Sequence, residues 1–151
     1  TADGRFEFQW GTKGRGPGEF HLPHGITMDA LARVIVCDRE NERLQVFDAK
    51  GAFLHEWKGP QLGKPYGIDT GPDGHLFVID GGSPSLQPQM RGKAVELDPT
   101  GEVLDTFGSH GKAVGQFQLG HDIAVGPDGA VYVAEGTGAR VQKFVRRKAA
   151  E

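Results

Sequence analysis

Short apolar runs, some alternating with polar residues and some continuous, recur along the chain in a fixed order. RVIVCD at 33–38, RLQVFD at 43–48 and AFLHEW at 52–57 follow one another with only a few polar residues between them. Side chains two apart in extended backbone share a face, so such runs predict strands, with the continuous ones covered on both sides. HLFVID at 75–80, EVLDTF at 102–107, AVYVAE at 130–135 and VQKFV at 141–145 carry the same signal further along. DAKG at 48–51, DPTG at 98–101 and GPDG at 71–74 and 126–129 mark tight turns between neighbouring strands. Glycine, proline and aspartate favour that geometry. No helical period is visible.

Aligning the chain on itself yields three units, which begin PHGITMD, PYGIDTG and GHDIAVG. His24, Tyr66 and His121 share one register, 42 and 55 residues apart, and GGSPSLQPQMRGK at 81–93 absorbs the excess of 13. Four antiparallel strands in about 40 residues make the blade of a β-propeller. The expected blades cover 19–58, 59–108 and 109–147 of a single segment spanning 1–151, with GRFEFQWG at 4–11 matching a fourth, outer strand. The third unit stops after its third strand at Val145, so the two ends together make three complete blades. A ring needs at least about four. Two completions follow: a homodimer in which a neighbouring copy donates 5–10 to the open blade of a six-bladed ring, or a longer chain of which this is half. The chain begins at Thr1, which reads as a processed or excised piece.

Composition narrows the classes. Net charge is −3 and the basic residues are scattered except for the terminal RRK, so no basic stripe points to nucleic acid. No run of about 18 apolar residues points to a membrane span. The lone Cys37 lies inside a predicted strand, where it fills core space.

In a four-stranded meander, the loop entering strand one and the loop joining strands two and three lie on the same side of the ring. That side collects the glycine-rich lead-in GTKGRGPGEFHLP, the DRENER loop at 38–43, the 81–93 insertion and the three register residues. Two imidazoles at one rank of alternate blades, His24 and His121, converge on the axis. They either hydrogen-bond carbonyls around a narrow channel or supply two ligands to a metal, catalytic zinc commonly taking three protein ligands. The third corner of that triangle lies beyond this chain. Tyr66 packs, walls a pocket or donates a proton. Asp122 caps a neighbouring amide or helps hold calcium, which selects oxygen. Arg39 either pairs with Glu40 or Glu42 or offers a planar fork to a substrate carboxylate. His21, His55, His75 and His110 fall off the register, at surface or loop positions.

The pattern GxGPGEFxxPxGIxxD, a strand ending in Asp, and NxRLQVFDxxGxF resembles the NHL repeat. PHGI, DRENERLQVF, the glycine- and proline-rich insertion and GHDIAVGPDGAVYVAE…VQKF resemble the C-terminal half of the peptidyl-α-hydroxyglycine α-amidating lyase family over 4–145. The resemblance implies a six-bladed propeller that cleaves peptidyl-α-hydroxyglycine to a peptide amide and glyoxylate, with zinc on three channel histidines and a structural calcium nearby. His24 and His121 then match two zinc histidines, Asp122 a calcium ligand and Arg39 an active-site arginine. The family's remaining histidine, its tyrosine base and a further arginine belong to blades outside this chain, so Tyr66 is not that base. The chain departs from the pattern at Gly120, where a proline usually precedes the histidine. The alternative is a non-enzymatic module whose loop-rich side binds a protein, a peptide or another small ligand.

Overall fold

The computed structural model describes residues 3–82 and 92–146. A lead-in pair, β1 (Thr12–Lys13) and β2 (Glu19–Phe20), precedes the first sheet, made of β3 (Pro23–Met28), β4 (Val34–Asp38), β5 (Arg43–Phe47) and β6 (Phe53–Lys58). The second sheet contains β7 (Pro65–Thr70), β8 (Leu76–Asp80), β9 (Lys93–Leu97) and β10 (Val103–Phe107). A second lead-in pair, β11 (Ser109–His110) and β12 (Gln116–Phe117), precedes β13 (Gly120–Val125), β14 (Val131–Glu135) and β15 (Arg140–Phe144). Each sheet is an antiparallel meander, and β3, β7 and β13 pack side by side as the innermost strands. These are three blades of a β-propeller, the last with three strands among the described residues, and the sheets do not close into a ring.

The core lies between sheets. Ile35, Cys37, Leu44 and Val46 of the first blade meet Ile68, Leu76, Val78, Val95 and Leu97 of the second. Phe77, Ile79 and Ala94 of the second meet Phe117, Ile123, Val131 and Val133 at the third. β4 and β8 are buried on both faces, which is why VIVC and LFVI read as continuous rather than alternating runs. Each such side chain contributes about 1.5–3 kcal/mol by leaving water. Cys37 is fully buried, and burial pushes its thiol far above the ordinary range, leaving it neutral and unreactive.

The innermost strands approach so closely that only glycine fits at two points. A Cβ on Gly25 would lie 2.7 Å from the Tyr66 carbonyl oxygen, and one on Gly67 would lie 2.9 Å from the Cα of Asp122. The PHGI and PYGI motifs therefore carry their glycine for blade-to-blade packing.

Residues 4–11 join no ladder among the described residues. Trp10 instead lies over Phe47 at 5.8 Å, while Phe6 is 74% exposed. Of the 81–93 insertion, residues 83–91 lie outside the described residues.

Candidate functional site

Each innermost strand begins with a one-residue bulge, and the bulged position holds the register residue. Pro23 opposes Asp38 while Ile26 opposes Val36; Pro65 opposes Asp80 while Gly67 opposes Ile79; Gly120 opposes Glu135 while Asp122 opposes Ala134. A bulge breaks strict alternation and re-aims a side chain. It turns His24, Tyr66 and His121 toward one another. Their ring centroids stand 5.0 Å apart for His24 and His121, 4.9 Å for His24 and Tyr66, and 5.6 Å for Tyr66 and His121.

The acid that ends each second strand anchors the segment leading to the bulge. Asp38 accepts the His21 amide at 2.7 Å, Asp80 the Lys64 amide at 3.0 Å and Glu135 the Gln118 amide at 2.9 Å. In the first blade, Arg43 bonds Asp38 at 2.8 Å and also the carbonyls of Arg15, Gly16 and Glu19, drawing the glycine-rich loop onto the sheet. Arg140 repeats this in the third blade, bonding Glu135 at 2.6 Å and the carbonyls of Lys112, Ala113 and Gln116. Burial pushes Glu135 up, but bonds from Arg140, the Gln118 amide and Gln142 together hold it below the usual carboxylate range. These acids were visible only as strand endings; their shared spacing ahead of the next turn is the signal that could have identified them.

Histidine chemistry at the axis is partly decided by one hydrogen bond. His24 Nδ1 lies 2.7 Å from the Tyr66 carbonyl oxygen, which only accepts, so Nδ1 carries the proton and donates. Neutral His24 then presents the Nε2 lone pair, the arrangement found when a metal-binding imidazole is oriented through its other nitrogen. Both imidazoles are exposed at the channel, and among the described residues His121 makes no side-chain hydrogen bond. Two imidazoles on one tetrahedral zinc, with Zn–N near 2.0–2.1 Å, have centroids about 5 Å apart. The observed pair fits that requirement.

Arg39 follows β4 in the 3-10 turn Arg39–Asn41, whose first two amides bond the carbonyls of Leu22 and His21. That docking brings the loop beside the axis. The Arg39 guanidinium stacks 4.7 Å from the Tyr66 ring, a cation–π contact, and bonds Glu40 at 3.0 Å. Asp122 accepts the Ile123 amide at 2.9 Å and is otherwise exposed. Tyr66 is 6% exposed, so packing is its evident role.

His75 lies in the turn before β8, half-buried against Glu96 at 2.6 Å, and ligand atoms of Asp73, His75 and Glu96 lie within 4.8 Å of one another. Arg146, from the end of the third blade, already pairs with Glu96, so this cluster ties two blades together. It borders a cleft of about 690 Å³ lined by Phe77, Leu104, Phe107 and Phe144. That cleft excludes every axis residue and opens beside the blade that has three strands among the described residues.

Comparison with known proteins agrees with the repeat architecture. Residues 20–47 match the NHL repeat. The chain is 35% identical to peptidyl-glycine alpha-amidating monooxygenase B of Xenopus laevis, over 99% of this chain and 18% of that protein. It is 29% identical to peptidyl-alpha-hydroxyglycine alpha-amidating lyase 1 of Drosophila melanogaster, over 87% of this chain and 26% of the other. NHL repeat-containing protein 3 of Mus musculus is 34% identical, over 89% and 38%. The chain thus spans less than two fifths of each of these relatives. Virginiamycin B lyase from Staphylococcus aureus superposes with a TM-score of 0.58 at 16% identity, over 85% of this chain and 45% of that one. At that identity the likeness concerns the fold.

Proposed function

We propose that this NHL-repeat propeller segment, related to the peptidylglycine amidating enzymes, forms part of a zinc-dependent lyase that cleaves an N-acyl-α-hydroxyglycine to an amide and glyoxylate. The carbon–nitrogen bond breaks, the hydroxyl carbon becomes the aldehyde of glyoxylate, and the hydroxyl proton is exchanged for one on the departing nitrogen. The observation that carries the reading is the His24–His121 pair, 5.0 Å apart, with His24 oriented through Nδ1.

His24 and His121 would hold the zinc together with a ligand from another blade. When bound, zinc supplies Lewis acidity toward a substrate oxygen. Arg39 orients the substrate carboxylate through its planar fork, its face braced on Tyr66. Asp122, whose exposed carboxylate adjoins β7, contributes to a calcium site with backbone carbonyls. Further blades complete the ring, from a second copy or from a longer chain. In support, Ile26 and Met28, 61% and 57% exposed, lie opposite Val36 and Val34 on the outward face of the first blade.

The test is metal analysis after purification without chelator, beside glyoxylate release from an N-acyl-α-hydroxyglycine. Zinc that disappears in His24→Ala and His121→Ala supports the reading. Protein free of zinc, with neither substitution altering glyoxylate release, overturns it in favour of a ligand-binding module. Solution mass separates the two ring completions: twice the monomer indicates closure between copies.

A further inference from the structure

Beside the axis, three charged side chains form a seat that already contains a carboxylate. Glu40 Oε1 lies 3.0 Å from both Nε and Nη2 of Arg39, a two-pronged contact, while Oε2 lies 2.7 Å from Lys64 Nζ. Lys64 comes from the segment leading into β7, 24 residues away, so two blades meet here. All three side chains are partly shielded, at 22%, 26% and 19% exposure for Arg39, Glu40 and Lys64. The same guanidinium stacks on Tyr66, whose ring touches both imidazoles.

From this we infer that Glu40 is a specificity-determining residue: it competes with a ligand carboxylate for Arg39, while Lys64 is a second cation of the same seat. The inference rests on the reading of Arg39 given above. The Nε–Nη2 edge of an arginine donates to one carboxylate at a time, and Glu40 occupies that edge through Oε1. With Glu40 present, the seat carries two positive charges and one negative; removing the negative charge leaves both cations for the ligand. Glutamine keeps the shape and an acceptor oxygen but cannot neutralise either cation. Carboxylate affinity is therefore held below what Arg39 and Lys64 together would give, which suits release of a carboxylate product.

The experiment compares binding of N-acetylglycine with that of N-acetylglycinamide, which differ only in the charged group, by NMR titration of the whole chain. Glu40→Gln should bind the acid about three- to fivefold more tightly, the range of a partly exposed ion pair, and leave the amide unchanged. Lys64→Met should weaken the acid and spare the amide. A merely structural effect would move both ligands together. If the acid binds in an Arg39-dependent manner but neither Glu40→Gln nor Lys64→Met changes the acid-to-amide ratio, the inference falls and the functional reading stands. If neither ligand binds and no zinc is found, both fall.

Discussion

Replacing Arg43 with methionine isolates the device that seats the first lead-in loop. The side chain is 6% exposed and makes five hydrogen bonds, to Asp38, Glu56 and the carbonyls of Arg15, Gly16 and Glu19. Methionine retains the buried stem and removes every donor. Breaking a buried ion pair costs about 3–5 kcal/mol. Asp38 keeps its bonds from Asn41, Gln45 and the His21 amide, which places the expected loss near the lower end, about 3 kcal/mol. For a domain of this size that is a fall of about 6–12 °C in Tm. Urea titration followed by Trp fluorescence measures the first quantity and thermal melting the second. Two comparisons guard the interpretation. Arg140→Met removes the equivalent bonds in the third blade, but its side chain is 32% exposed, so the loss should be smaller. Lys58→Met removes a partner of Glu56 that is 66% exposed and should cost under about 1 kcal/mol. An Arg43→Met loss no greater than that of Lys58→Met would refute the claim that the buried guanidinium anchors the loop.

Three further outcomes are expected. Gly67→Ala forces a methyl against Asp122 and should destabilise by about 1–3 kcal/mol, with chemical shifts of His121 moving in the same variant; an unperturbed spectrum would show that β7 and β13 are not in tight contact. Cys37 should resist a thiol reagent in native buffer and react only on unfolding, so stoichiometric labelling of the folded chain counts against its burial. Acid should weaken the fold through Glu40, Glu56 and Glu135. Lysine and arginine partners hold Glu40 and Glu56 below the usual range, and Glu135 is held there against burial by Arg140, the Gln118 amide and Gln142. A depressed carboxylate contributes in full above its unfolded value and is lost as pH falls through its folded one, so the urea midpoint should drop between about pH 5 and pH 2; a flat midpoint there would contradict these pairings.

Much of this was legible in the amino-acid order because blades are local. Each meander joins strands a few residues apart, so hydrophobic runs and DAKG, DPTG and GPDG turns suffice to specify the sheets, and repetition reveals that His24, Tyr66 and His121 share a rank. Tertiary structure alone decided the rest, since each remaining feature depends on distances between blades. The bulges that aim the three rings arise from pairing against β4, β8 and β14, and no residue pattern announces a one-residue slip. Which nitrogen of His24 remains open depends on a carbonyl 42 residues away. Lys64 met Glu40 only because β7 packs beside β3. Propensity is a property of a segment, whereas a ladder or an ion pair needs a partner brought within a few ångströms, and only the folded chain supplies it.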